Sequence, residues 1–463
     1  MDVSAELSRT LGKATLVEPG RLPAYATDKA DFRGSTPAAA VRPRNAGDVA
    51  KALEFCNRRK LRVVARGAGS SLTGAAVPGG KWVVIDTSSL DRILEIHVQD
   101  RYAVVEPGAT IGALNKRLAR YGYFYPPDPA SAAFATIGGS IGTNAGGLKA
   151  GLYGTTKDWV LGLEVVLPNG TVINTGSRTL KRSIGYDLTA LLAGSEGTLG
   201  IITKAILKIW PLPEAHRMFA AYFGGMKGAV DTVAELEKLG IALSAAEFID
   251  KSGLALVRKH NGIRIPPGSN YILIVETVSN KEAADRVLDQ AIMIAKSNGA
   301  LSTKPARSEG ERADLFDARR HMLISSKEKA ERTHRRVVIA DIVVPLSQLH
   351  LSLREMHHAV ARSSLDVILY GHAGEGNVHA DIAYLPGDAK ETKAMNALQT
   401  RFGEIAIKHC GSVSGEHGIG LEKKDLLKKE FAARSTSESI ELMKRIKKQF
   451  DPNGILNPGK IFD

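Results

Sequence analysis

The sequence predicts an α+β protein of two domains, and three observations lead there. Through about residue 210, short apolar strand segments and helical stripes alternate with loops dense in glycine. Beyond Pro211 and Pro213 the glycine loops give way to long amphipathic helices separated by strands, the pattern of an α+β cap laid over a first domain. The length of 463 residues also exceeds the roughly 100 to 200 residues that one compact domain usually holds.

The elements follow in order. Val49, Ala52, Leu53 and Cys56 form a helical stripe that Asn45 can cap, and residues 61–65 form a short apolar strand. Further strands are expected at 82–85, 102–106 and 160–167. The last is turned back by Pro168, Asn169 and Gly170 into 171–174, a hairpin signal. A strand at 201–209 closes this part. In the cap, Ala284, Val287, Leu288, Ala291 and Ile292 make one helical stripe, and Leu349, Leu353, Met356 and Val360 another, with strands at 271–278 and 337–344. The character changes again near Gly411. The expected division is 1–213, 214–410, and a carboxyl-terminal segment 411–463 that returns to the first domain.

Composition narrows the class. Hydrophobic residues at 44% and charged ones at 24% leave enough apolar surface for packed cores and argue against disorder. No apolar run approaches the roughly 18 residues that a membrane span needs, and the amino terminus has no export signal, which predicts a cytoplasmic protein without an integral membrane segment. Two cysteines far apart offer neither a disulfide framework nor a thiolate cage, in keeping with a reducing compartment. The net charge of +13 suits anionic ligands, an anionic membrane face or nucleic acid. The densest basic runs, Lys423, Lys424, Lys428 and Lys429, then Lys444, Arg445, Lys447 and Lys448, are spaced for solvated helix faces and carry few interleaved aromatics, which speaks against nucleic acid.

The first glycine loop, 66–74, reads RGAGSSLTG after a strand, and its amides and small hydroxyls can converge on a pyrophosphate. Gly67 and Gly69 also begin a dinucleotide fingerprint with Asp86 beyond it, but the third glycine is missing and no amphipathic helix follows, which disfavours a nicotinamide site. A second loop, 126–156, reads PPDPASAAFATIGGSIGTNAGGLKAGLYGTT, and a third, 194–200, reads GSEGTLG. Three such loops let backbone approach a large flat ligand closely.

Two further motifs carry chemistry. Residues 370–379 read YGHAGEGNVH and 414–420 read SGEHGIG. His372, His379 and Glu416 could give two imidazoles and one carboxylate to a divalent ion with coordination positions left open, although two histidines at this spacing are often ordinary polar residues. His417 is the natural base for a hydroxyl proton near neutral pH; its other reading is a residue that orients Glu416.

Taken together, RGAGSSLTG, PPDPAS, TIGGSIGTNAGG, LYGTT, GSEGTLGIIT and the terminal NPGK resemble the FAD-binding domain of flavoproteins of the vanillyl-alcohol oxidase type. The resemblance extends over residues 37–463 to the branch containing D-lactate dehydrogenase, the glycolate oxidase flavin subunit and D-2-hydroxyglutarate dehydrogenase. It implies a two-subdomain FAD-binding domain and an α+β cap with an antiparallel sheet. It further implies that Arg66, Gly67, Ala68, Gly69, Ser70, Ser71 and Gly74 hold the pyrophosphate of FAD. Pro127, Asp128, Ser131, Gly138, Gly139, Asn144, Gly147, Gly197 and Ile202 would line the cofactor, and Asn457 and Lys460 would return to it. Neither a histidine nor a cysteine stands in these loops, so the FAD is expected to be noncovalent.

In that branch GHxGDGNxH followed by SGEHGIG is the metal site, which implies Zn2+, Mn2+ or Fe2+ on His372, His379 and Glu416; Glu375 here replaces the usual aspartate. The branch also implies hydride transfer from a 2-hydroxy acid to flavin N5, with His417 as the base and Arg319 as the cation for the substrate carboxylate. The lysine found shortly before the equivalent of Asp341 in D-2-hydroxyglutarate enzymes is absent, which favours D-lactate or glycolate, with Arg320 and Arg335 keeping a dicarboxylate open. The expected electron acceptor is another protein or a quinone, because no iron–sulfur or haem motif is present. A homodimer, peripheral membrane association and a noncatalytic flavin-binding subunit stay open. The remaining histidines carry no expected role.

Overall fold

The computed structural model describes residues 3–12, 15–261 and 263–462, with backbone alone for 259–261, so the His260 side chain lies outside what is described. The chain divides into two compact bodies. The first comprises Met1–Gly146, Thr155–Leu212 and Glu416–Asp463, and the second Gly147–Gly154 and Pro213–Gly415. The octapeptide Gly147–Gly154 is therefore part of the second body, although it is embedded in the sequence of the first.

Beside a two-stranded pairing of Tyr123–Phe124 with Trp210–Pro211, the first body holds two larger sheets of different kinds. A three-stranded parallel sheet places Val83–Asp86 between Ala39–Val41 and Val63–Arg66. The helix Ala46–Arg59 starts where the Asn45 side chain accepts the amide of Asp48 and ends at Lys60 in the left-handed conformation. Its buried stripe of Val49, Ala52, Leu53 and Cys56 packs with Val63, Val83 and Ile85. A five-stranded antiparallel sheet runs in the order Ile93–His97, Tyr102–Val105, Ile201–Lys208, Val160–Val166, Val172–Gly176. The last two form the hairpin expected around Gly170, whose amide reaches the carbonyl of Leu167.

The second body is built on one seven-stranded antiparallel sheet, ordered Ser302–Pro305, Ala215–Phe223, Tyr271–Ser279, Leu243–Asp250, Asp366–His372, Asn377–Tyr384, Arg336–Val343. One face carries the main apolar cluster and is covered by the helices Met226–Lys238, Ala284–Ser297, Leu346–Ala361 and Ala389–Lys408. On the opposite face an apolar patch of Ile249, Ile272, Ile274 and Ile368 packs against the helices Lys251–Asn261 and Glu309–Arg320. Beside it, Glu247, Asp341, Tyr370, His372, His379 and Asp381 are buried side chains on the same face. Strands alternate their side chains, so a one-residue slip would send all of these polar groups into the apolar core, and the register is pinned by that cost.

Two lysines in the basic runs are not solvated. Lys423 is 3% exposed. Lys447 turns inward from the helix Ser437–Phe450, where its Nζ donates to the carbonyls of Thr198 (2.7 Å) and Leu456 (2.8 Å) and to the Asp451 carboxylate. Helical spacing marks a face as charged; it does not say which charge has carbonyls to neutralise. Replacing Lys447 by Met leaves these acceptors without their ammonium and should cost about 2–4 kcal/mol in urea unfolding, against less than about 1 kcal/mol for Lys444→Met, half-buried and paired only with Glu441 one turn away.

Candidate functional site

In the first body the glycine loops are drawn together by specific contacts. The strand Val63–Arg66 delivers Arg66, whose Nη1 donates to the Thr27 carbonyl at 2.7 Å and whose guanidinium lies over the Tyr25 ring. A Cβ on Gly67 would collide with Oγ1 of Thr136, the residue that caps the turn of helix carrying Gly138 and Gly139, so the first and second loops approach as only glycine allows. The Ser71 Oγ accepts the amides of Thr73 and Ala75 and curls the loop towards Gly74. Asn457 Nδ2 donates to the carbonyls of Ala75 (2.9 Å) and Glu196 (2.7 Å), tying the first loop to the third beside Gly197.

Lys460 Nζ donates to Val77 O at 2.8 Å, and its burial pushes the ammonium pKa down to about 8. Asn144, with φ of 51°, holds the amide of Lys157 with its side-chain oxygen. Pro127 is buried, Asp128, Ser70, Ser131 and Ile202 are half-buried, and Ala68 is exposed. Gly147 differs from the rest of the expected set because it lies in the second body. Asp86, at the position of a nicotinamide ribose acid, is engaged by Tyr25 Oη at 2.6 Å and by Ser88.

In the second body His372 and His379 meet. They lie on adjacent antiparallel strands, His379 opposite Tyr370 and His372 opposite Asn377, so both imidazoles project from the same face. Their Nε2 atoms are 3.3 Å apart and the rings are perpendicular. Glu247, paired with His372 across the next strand and 0% exposed, takes His372 Nδ1 on Oε1 at 2.6 Å. That bond puts the proton on Nδ1 and leaves the Nε2 lone pair facing His379, the tautomer a metal ligand needs. Arg319, at the end of the helix Glu309–Arg320, forms an ion pair through Nε with Glu247 Oε2 at 2.6 Å. Its Nη2 stands 3.5 Å from His372 Nε2, and its guanidinium carbon lies over the Tyr370 ring, 4.6 Å from the centroid. Asp341, opposite His379, has Oδ1 3.7 Å from His379 Nδ1.

Asp341 accepts Asn377 Nδ2 at 2.8 Å and the amide of Gly415 at 3.1 Å, so it holds the residue that immediately precedes Glu416. Glu416 and His417 open the last segment of the first body, where Glu416 lies against Gly146, whose missing side chain makes its room. His417 Nε2 is 3.5 Å from Glu416 Oε1, and the His417 carbonyl accepts Thr73 Oγ1. Glu375 accepts the Gly151 amide, and burial pushes its carboxyl up to about 7. Other histidines stand beside carboxylates elsewhere: His357 with Asp250, His97 with Glu95, His216 with Glu276.

The donor set suits a divalent ion. Two nitrogens about 2.0–2.1 Å from one ion at the tetrahedral angle stand about 3.3–3.4 Å apart, which is the separation of the two Nε2 atoms. Sequence reasoning missed Glu247, Tyr370 and Asp381. A signal was there, since LSAAEFID and HADIAY each set an acid in an apolar strand, where a carboxylate survives only with a partner.

Residues 212–461 match the family FAD linked oxidases, C-terminal domain, and residues 37–176 match the FAD binding domain family. The chain is similar to the glycolate oxidase subunit GlcD of Bacillus subtilis (strain 168), 34% identical over 100% of this chain and 97% of that protein. It is likewise similar to the D-lactate dehydrogenase of Archaeoglobus fulgidus, 34% identical over 91% of this chain and 90% of that one. Among solved structures, p-cresol methylhydroxylase with substrate bound shares the fold, with a TM-score of 0.80 at 19% identity over 99% of this chain and 96% of that one.

Glu247→Ala leaves the Arg319 guanidinium and His372 without their buried carboxylate. It should lower stability by about 3–5 kcal/mol in denaturant unfolding. Glu247→Gln, which turns an amide NH2 towards one of the two donors, should also destabilise, though less.

Proposed function

We propose, from the premise that this chain belongs to the FAD-linked oxidases and to their D-lactate dehydrogenase, glycolate oxidase and D-2-hydroxyglutarate dehydrogenase group, that it oxidises a small 2-hydroxy acid, D-lactate or glycolate, to the 2-oxo acid. The observation that carries the reading is the His372–His379 pair at ligand spacing, with Glu247 setting the tautomer. His372, His379 and Glu416 would hold a divalent ion, Zn2+, Mn2+ or Fe2+. Arg66 to Ser71 and Gly74 would receive the pyrophosphate of a noncovalent FAD, with the second and third glycine loops along its edge.

FAD, when bound, supplies the two-electron acceptor for the hydride that leaves the α carbon. A divalent ion held by His372, His379 and Glu416 would supply Lewis-acid lowering of the substrate hydroxyl pKa. The chain's own residues do the rest. His417 takes the hydroxyl proton as the C–H bond breaks, so that hydride and proton leave together and the carbonyl forms. Arg319, its Nε held by Glu247, offers its Nη groups to the substrate carboxylate. Electrons then pass to another protein or a quinone.

An anaerobic titration tests this. The oxidised flavin absorbance of the purified protein is followed on addition of D-lactate, L-lactate, glycolate and D-2-hydroxyglutarate, with and without chelator. D-Lactate or glycolate should bleach the flavin, and chelation should abolish the bleaching. His379→Ala should retain flavin but reduce it about a hundredfold or more slowly, since loss of Lewis-acid assistance is worth several kcal/mol. Bleaching by D-2-hydroxyglutarate alone would move the substrate to a dicarboxylate. Reduction at full rate in the presence of chelator would remove the metal from the mechanism.

A further inference from the structure

Glu196 sits where a side chain is least expected. It has φ of 50°, between Gly194 at +78° and Gly197 at +70°, so three of the four residues 194–197 are in the left-handed region that favours glycine. A residue that keeps a bulky side chain in the left-handed region points to work that glycine cannot do. The contacts of Glu196 show what that work is. Its amide donates to the carbonyl of Gly142 at 2.7 Å, in the second glycine loop, and its carbonyl accepts Asn457 Nδ2 at 2.7 Å. Its carboxylate is 7% exposed at residue level and faces backbone: Oε1 accepts the amide of Ile419 at 2.8 Å, and both oxygens accept the amide of Gly420, at 3.1 and 2.9 Å.

The two amides belong to the turn that follows His417. Gly418, at φ +79°, leaves room for Glu196 Oε1, since a Cβ there would come within 2.8 Å of it. On the other side Thr73 closes the clamp, with Oγ1 donating to the His417 carbonyl at 3.3 Å and its own carbonyl accepting the amide of Leu421 at 2.8 Å. All of these residues are in the first body. A carboxylate receiving backbone amides makes charge-assisted bonds, stronger than a neutral acceptor would make.

We propose that Glu196 is a positioning residue for His417, clamping the 417–420 turn to the second and third glycine loops so that the base and the flavin-binding backbone share one frame. The proposal rests on the reading of His417 as the base. Glu196 does not touch the reacting atoms; it acts through the turn.

The test uses flavin-containing protein with Glu196→Ala, Glu196→Gln, Glu196→Asp, His417→Asn and the Glu196→Ala/His417→Asn double variant. It reads amide hydrogen exchange across 416–421 and the anaerobic rate of flavin reduction by D-lactate or glycolate, whichever bleaches the wild type. Glu196→Ala should raise exchange in this segment at least tenfold and slow reduction on the order of tenfold to a hundredfold, the scale of a misplaced catalytic group. Gln keeps an oxygen for Ile419 and should recover part of both. Asp keeps the charge but falls a methylene short and should resemble Ala. In the His417→Asn background Glu196→Ala should slow reduction no further.

Wild-type exchange at 416–421 in Glu196→Ala, equal slowing with and without His417, or full recovery by Asp would each overturn the proposal. If Glu196→Ala does not yield folded holoenzyme, Glu196→Gln decides, since wild-type exchange in it would be equally fatal. A wild-type reduction rate in His417→Asn would instead sink the assignment of the base, while loosened exchange in Glu196→Ala would still support the clamp.

Discussion

The second body depends on a carboxylate placed where water cannot reach it. Glu247 stands in the middle strands of a seven-stranded sheet, fully buried, and a charge there is tolerable only when opposite charge and hydrogen-bond donors surround it. His372 Nδ1 and the Arg319 guanidinium supply both. The dependence runs in both directions. With Glu247 in place, His372 has one tautomer and one ring orientation, and Arg319 is pinned at the end of its helix, so the geometry of the face is set before any ligand arrives. The desolvation cost of the carboxylate is what excludes alternative registers of these strands.

The first body solves a different problem with the same means. Three glycine loops approach one another as backbone, the third bonded to the second by the amides of Gly194 and Glu196 on the carbonyls of Ile141 and Gly142. Further ties come from side chains distant in sequence that reach carbonyls and amides: Asn457 to Ala75 and Glu196, Lys460 to Val77, Lys447 to Thr198, Glu196 to Ile419 and Gly420. Each places a polar group in a buried setting where losing its partner costs more than the bond itself contributes. The carboxyl-terminal segment therefore belongs to this body by hydrogen bonding rather than by hydrophobic contact alone.

What could be read from the sequence was what is encoded locally. Asn45 capping the helix at Ala46, the hairpin around Gly170 and the stripes of the helices Ala284–Ser297 and Leu346–Ala361 each express themselves within a few residues. The histidine pair was legible because seven residues bracket one tight turn between adjacent strands. Glu247 was not, since its partners lie 125 and 72 residues away and its strand is buried on both faces, which erases alternation. Lys447 and Lys423 were misread because a basic run at helical spacing looks the same whether or not carbonyls wait beneath it. The membership of Gly147–Gly154 in the second body is a fact of topology that no local pattern expresses.

The way Arg319 is held bears on what kind of substrate this face would accept. A free guanidinium can meet a carboxylate side-on through Nε and one Nη, or end-on through both Nη atoms. Here Nε is paired with Glu247, and the guanidinium carbon lies 4.6 Å from the centre of the Tyr370 ring, whose hydroxyl is in turn fixed by Asp381 at 3.0 Å. Only the Nη edge is left to face a ligand, and one of its nitrogens is 3.5 Å from His372 Nε2. A carboxylate bound there would sit immediately beside the imidazole pair, so an oxygen on the next carbon would come within reach of the same site. That is the connectivity of a 2-hydroxy acid, in which carboxylate and hydroxyl are one carbon apart. A 3-hydroxy acid would have to fold back to satisfy both anchors and would lose chain entropy in doing so. In the proposed reaction, the way Glu247 and Tyr370 orient one arginine would favour the α position.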